Sequence, residues 1–231
     1  MRTSYHISTS EQVATNLRAV RAKVSQAAQA VNRASGSVSL IAVSKTHGCD
    51  TVRAVLDEGQ TIFGESRVQE ATSKWSELRV EYPDIELHLI GPLQTNKARK
   101  AVALFDVIQT LDSLKLAESL SKEMKRLGRF PKCLVQVNTG EELQKAGVTP
   151  WEANQFIDTC IKDFQLPIFG VMCIPPADLD PAPHFNLLRE IAERYQLPAI
   201  SMGMSRDYEL AIRCGATHVR VGTAIFGHRV T

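Results

Sequence analysis

The 231-residue sequence predicts an α/β fold, a single (β/α)8 TIM barrel with an extra N-terminal helix. Three observations predict it. Short apolar runs rich in Val and Ile recur eight times, and each but the last is followed by a helical stretch. No Pro-, Gly- and Ser-rich linker divides the series. With 44% hydrophobic residues the chain can fill one large core, so residues 1–231 are expected to form one domain.

Ser10 is placed to cap a helix over about 10–35, in which Val13, Leu17, Val20, Val24, Ala27, Ala28 and Val31 recur at helical spacing. This helix takes the place of the missing eighth. Behind the Gly36-Ser37 turn, Leu40-Ile-Ala-Val-Ser-Lys45 reads as a buried strand, followed by a helix near 50–58 closed by Gly59. A strand over 61–63 runs into Gly64-Glu65-Ser66-Arg67, and a helix continues to about Arg79. The strand over 86–90 stops at Gly91-Pro92, and a polar helix spans about 96–103. After a strand over 107–109, Ser113 opens a helix that ends before Gly128. The strand over 132–137 meets Asn138-Thr-Gly140, and a helix behind Pro150 reaches about Lys162. Pro175-Pro176 ends the strand over 167–173; a helix over about 181–195 precedes the strand over 198–201. A helix over about 205–213, Gly215 and a strand over 217–221 complete the series.

The charge balance, 27 Lys+Arg against 25 Asp+Glu, leaves no electrostatic footprint for nucleic acid. Cys49, Cys133, Cys160, Cys173 and Cys214 are odd in number and scattered, which suits reduced thiols in a cytoplasmic protein. The start, Met1 to His6, lacks the apolar core of a signal peptide, and no apolar run approaches membrane-spanning length. A soluble cytoplasmic protein without membrane association is expected. His47, His88, His184, His218 and His228 show no metal-ligand spacing, so no metal is expected.

In a barrel of this class the site lies where the strands end. The polar residues there are Lys45, Glu65 with Ser66, Gln94 with Asn96, Asn138, Ser201, and Gly222 with Thr223. Two readings fit Lys45: a desolvated, nucleophilic amine at the core rim, or a lysine that extends its charge into solvent. The loops after the seventh and eighth strands read Ser201-Met202-Gly-Met-Ser205-Arg206-Asp207 and Arg220-Val-Gly222-Thr223. Glycine, hydroxyls and a helix start in that place suit a phosphate, while helix capping by Ser205 and a plain turn at Gly222 are the alternatives. One ligand bridging lysine and phosphate loops would be an aldehyde-bearing phosphorylated cofactor, pyridoxal 5'-phosphate (PLP), joined to Lys45 as a Schiff base. Arg220 then either faces the ring nitrogen or lines the barrel paired with a carboxylate such as Glu65.

Seven motifs carry a resemblance: Ala42-Val-Ser-Lys45, Phe63-Gly-Glu-Ser-Arg-Val-Gln-Glu70, His88-Leu-Ile-Gly-Pro-Leu-Gln-Thr-Asn-Lys97, Val137-Asn138 with Lys145-Ala-Gly147, Gly170-Val-Met172, Ser201-Met-Gly-Met-Ser-Arg-Asp207 and Val219-Arg-Val-Gly-Thr-Ala-Ile-Phe-Gly227. In this order they resemble the pyridoxal phosphate homeostasis proteins, from about Val38 to Gly227. The resemblance implies a barrel like the N-terminal domain of alanine racemase, with PLP on Lys45, phosphate at Ser205, Gly222 and Thr223, and Arg220 at the pyridine nitrogen. It adds Ser66, Asn138, Ser201 and Met202 to the expected cofactor shell. Where the family commonly carries asparagine and an aromatic residue, this chain has Ser66-Arg67, a shorter side chain without an amide.

Because the chain stops at Thr231, the β-domain that completes alanine racemase is expected to be lacking, and with it a second acid/base group. The implied function is PLP (vitamin B6) homeostasis and amino/keto-acid balance, by a monomer in transient contact with PLP-dependent apo-enzymes and without strong turnover. Two rivals are an amino-acid racemase or lyase pairing Lys45 with water or Tyr208, and a phosphosugar enzyme with a Schiff-base lysine.

Overall fold

The computed structural model describes residues 9–227. Eight parallel strands close into a barrel in chain order. They are β1 (Ser39–Val43), β2 (Ile62–Glu65), β3 (Glu86–Leu89), β4 (Val107–Leu111), β5 (Lys132–Val137), β6 (Ile168–Cys173), β7 (Ala199–Ser201) and β8 (His218–Val221). β8 returns to β1 with Ile41 opposite Arg220 and Ala42 opposite Val221, so no strand edge stays open.

The helices between them are α2 (Cys49–Leu56), α3 (Val68–Glu81), α4 (Ala98–Leu104, entered through a 3₁₀ turn, Thr95–Lys97), α5 (Leu114–Leu127), α6 (Ala153–Lys162), α7 (Pro181–Arg194) and α8 (Tyr208–Arg213). The main core lies between this ring and the sheet, where Trp75, Phe63, Phe105 and Phe185 are fully buried. A smaller apolar layer, Val107, Leu134, Met172 and Ala199, fills the barrel itself.

The N-terminal helix α1 (Ser10–Gln29) packs on α2, α8 and the short α9 (Thr223–Phe226), closing the ring at the expected place. It buries Val13, Leu17, Val20, Val24, Ala27 and Ala28. Its cap is Thr9, whose hydroxyl accepts from the Gln12 amide at 3.2 Å, so the predicted cap Ser10 is the first helical residue. The helix ends at Gln29, short of 35, and the chain turns through a left-handed Asn32.

Three further expectations need correction. β2 runs on to Glu65, which places Glu65 in the sheet. The helix after β7 starts at Tyr208, because the Asp207 carboxylate takes the Met204 amide at 2.6 Å and holds residues 205–207 as a turn. Ser205 therefore does not cap α8. The last strand is followed by a helix after all, the four-residue α9. Among the described residues no helix is long and apolar enough to cross a membrane, and all five cysteines are free thiols.

Candidate functional site

β1 ends in a tightly held turn that presents Lys45. Ser44 is fully buried; its amide bonds the Gly64 carbonyl at 3.1 Å and its hydroxyl donates to Glu65 Oε1 at 2.7 Å. Two residues on, the Thr46 amide donates to Glu70 Oε1. Thr46 itself sits at φ 68°, a left-handed conformation that a β-branched residue adopts only under constraint. Lys45 is thus gripped on both sides by carboxylates of β2 and α3.

The grip is completed by Lys74 of α3, whose ammonium donates to the Ser44 carbonyl at 2.7 Å and to Glu65 Oε1 at 2.9 Å. Trp75 Nε1 adds a third bond to that oxygen, at 3.1 Å. Lys74 escaped the sequence reading, although a lysine on the buried face of α3 (Val68, Ala71, Lys74, Trp75, Leu78), one turn beyond Glu70, is a legible signal. Arg220 does not pair with Glu65. Its guanidinium, pushed by burial below the usual arginine range, donates to Ser201 Oγ at 2.7 Å and the Cys173 carbonyl at 2.8 Å.

At the strand C-termini a cavity of about 880 Å³ opens, walled by Lys45, Ser205, Arg220, Gly222 and Thr223 together with Tyr208. Its wall carries five cationic side chains (Lys45, Lys145, Arg206, Arg213, Arg220) against two carboxylates (Asp207, Glu209), which favours an anion. The loops after β7 and β8 are joined by the Ala224 amide, which donates to Ser205 Oγ at 3.4 Å. Gly203 at φ 89° makes this possible: a Cβ there would lie 2.5 Å from the Ala211 methyl. Gly222 packs against the end of β1, its missing Cβ only 3.2 Å from the Val43 carbonyl.

Five of the nine predicted site residues thus share one cavity, and four stand outside its wall. Ser201 and Met202 are wholly buried behind it. The Asn138 amide bonds the Glu142 carbonyl at 2.9 Å and accepts from the Glu142 amide at 3.3 Å, folding the loop after β5. Ser66 is half-buried, with its backbone pressed on Gly91, where a Cβ would fall 2.2 Å from the Ser66 carbonyl oxygen. Among the described residues no group of three His, Cys, Asp or Glu side chains is arranged to hold a metal ion. Burial raises the Tyr208 hydroxyl above the ordinary tyrosine range, so it stays protonated.

The model of the alanine racemase N-terminal domain family matches residues 15–230. The pyridoxal phosphate homeostasis protein of Haemophilus influenzae is 36% identical over 225 residues, covering 93% of this chain and 94% of the relative. That of Escherichia coli K12 is 36% identical over 230 residues, covering 94% and 97%. Among solved structures, PipY of Synechococcus elongatus with PLP bound superposes with a TM-score of 0.81 at 39% identity, over 94% of this chain and all of PipY. Alanine racemase of Clostridium difficile shares the fold alone: TM-score 0.72, 14% identity, 96% of this chain but 58% of the racemase. A barrel matched end to end by relatives of its own length, and only to the first part of the racemase, places this chain in the pyridoxal phosphate homeostasis family, within the alanine racemase N-terminal domain family.

Proposed function

We propose that this protein holds pyridoxal 5'-phosphate through Lys45 and serves PLP homeostasis and amino/keto-acid balance as a single-domain cytoplasmic monomer that hands the cofactor to apo-enzymes. The observation that carries this reading is the shared cavity. An amine, two hydroxyls and a buried guanidinium line one space whose charged wall residues are mainly cations. When bound, PLP supplies an electrophilic aldehyde carbon and an electron-withdrawing ring.

The chain's own residues divide the remaining work. Lys45 holds the aldehyde carbon. Ser205 and Thr223 donate hydroxyls to the phosphate, and Gly222 brings the backbone close to it, its glycine favoured by the tight Val43 contact. Arg220, which can donate but not accept, meets the ring nitrogen without protonating it and leaves the ring a weaker electron sink. That suits a carrier better than a catalyst of proton transfer, which needs two positioned acid/base groups.

The purified protein should turn yellow with PLP and, after borohydride reduction, carry one PLP-sized mass adduct that is missing from Lys45→Ala. In Ser205→Ala/Thr223→Val the adduct should still form while cofactor retention weakens, by about 1.5–3 kcal/mol for each lost bond to a charged group. A colourless protein would end the PLP reading, and unchanged retention in the double variant would relocate the phosphate. Exchange of an amino acid's α-proton at ~1 per second or faster would make the protein a racemase or lyase.

A further inference from the structure

Behind Arg220 a line of polar side chains runs down the inside of the barrel. Arg220 Nη1 donates to Ser201 Oγ at 2.7 Å, and Ser201 Oγ donates to Gln109 Oε1 at 2.7 Å. Gln109 Nε2 meets His88 Nδ1 at 2.7 Å, and His88 Nε2 meets Glu86 Oε1 at 2.6 Å. Arg220, Ser201, Gln109 and His88 are all at least 96% buried, and at the end away from the cofactor cavity the line reaches water at Glu86. Glu86 borders a second cavity, of about 300 Å³, at the opposite end of the barrel, with Lys132 and His218.

We propose that Ser201, Gln109 and His88 are positioning residues, a proton-ordered chain that fixes the direction in which Arg220 presents its guanidinium to the cofactor cavity. The inference rests on the reading of Arg220 as the partner of the cofactor ring. The order follows from one fact: arginine has donors only. Ser201 accepts from Arg220, and its own hydrogen finds an acceptor in Gln109 Oε1, which a flipped Gln109 amide would not offer. That orients the Gln109 amide with its NH₂ toward His88. His88 Nδ1 must then be the acceptor, which puts the ring hydrogen on Nε2, where the Glu86 carboxylate takes it. Each link is satisfied in one arrangement, dictated from the Arg220 end.

Such a chain is not what the barrel needs to stand. Barrel interiors of this class are filled by layers of Val, Ile and Leu, and buried polar groups contribute less to stability than to a unique arrangement. Here an apolar layer is present as well, so the polar line is an addition to it. Its consequence is at the mouth. With Nη1 tied to Ser201 and Nη2 to the Cys173 carbonyl, the guanidinium plane is fixed before any ligand arrives.

The test uses the full-length, PLP-loaded protein with histidine ¹⁵N labelling. The His88 ring should carry its hydrogen on Nε2; a hydrogen on Nδ1 would overturn the order. Gln109→Glu keeps the size but offers acceptors at both ends, so His88 should become doubly protonated. Gln109→Leu cuts the chain and leaves the Ser201 hydroxyl without its acceptor. The cofactor's visible band should move and its release should speed up ~10-fold, about the worth of one buried hydrogen bond, and Gln109→Glu should recover most of that loss. His88→Leu, which cuts one link further away, should shift the band by less and serves if Gln109→Leu does not fold. Variants that lose melting temperature with unchanged band and release rate would reduce the line to a structural one and sink the proposal. A colourless wild type would sink the PLP reading instead, leaving the His88 tautomer to decide the order.

Discussion

The side chain that governs the Lys45 turn is another lysine. Lys74 donates to the Ser44 carbonyl and Glu65, and Glu65 collects three donors on one oxygen while its other oxygen has no partner among the described residues. Removing one member of a buried ion pair strands the other charge, at a cost of about 3–5 kcal/mol. Lys74→Met should therefore lower unfolding stability by roughly that amount in urea titration. It should also loosen PLP retention, because the turn before Thr46 loses an anchor. Pairing it with Glu65→Gln should recover part of the stability, since no unpaired charge is then left. A stability loss under about 1 kcal/mol in the single variant would mean that water already solvates Glu65.

At the scale of elements, the strands were the most legible part of the sequence, because each is a short apolar run and most are stopped by Gly, Pro or Asn. The helix ends near the site were the least legible. Asp207 delays α8 through a side-chain bond to Met204, and α9 has only four residues, too few to leave a periodic signal. Lys45, Ser205, Arg220, Gly222 and Thr223 could be placed in sequence because they stand at strand ends. Gln109 and His88 could not, since they point into the barrel, where strand alternation marks the face but not the partner. The N-terminal helix was legible in both period and place. It is held by Leu17, fully buried, and by Asn16, which donates to the Ile225 carbonyl of α9 at 3.0 Å. Leu17→Ala should cost about 2–5 kcal/mol by opening a cavity where α1 meets the barrel. Because α9 begins at Thr223, release of PLP should also speed up; a stability loss without that change would uncouple α1 from the phosphate loop.

For the molecule as a whole, the barrel has two chemically different ends, and its far end sets a limit on acid tolerance. His218, on β8, bonds through Nδ1 with the Thr217 hydroxyl at 2.8 Å and lies 6.1 Å from the His88 ring. Burial first, and then the neighbouring His88, depress its pKa to about 4 against an ordinary 6.5. The folded protein therefore binds fewer protons than the unfolded chain between these values, so stability must rise with pH across that window. The contribution is complete above pH 6.5, declines as the solution is acidified, and is spent by about pH 4. Its full size is ~3 kcal/mol. Glu86, whose carboxyl is held below its usual value mainly by the bond to His88, weakens the fold only at lower pH still, as it is protonated below 4.5. The interval from 6.5 down to 4.5 therefore separates the histidine from Glu86. Urea unfolding across it should show a steady loss in the wild type that is largely absent from His218→Gln, and parallel losses in the two proteins would assign the acid sensitivity to another group.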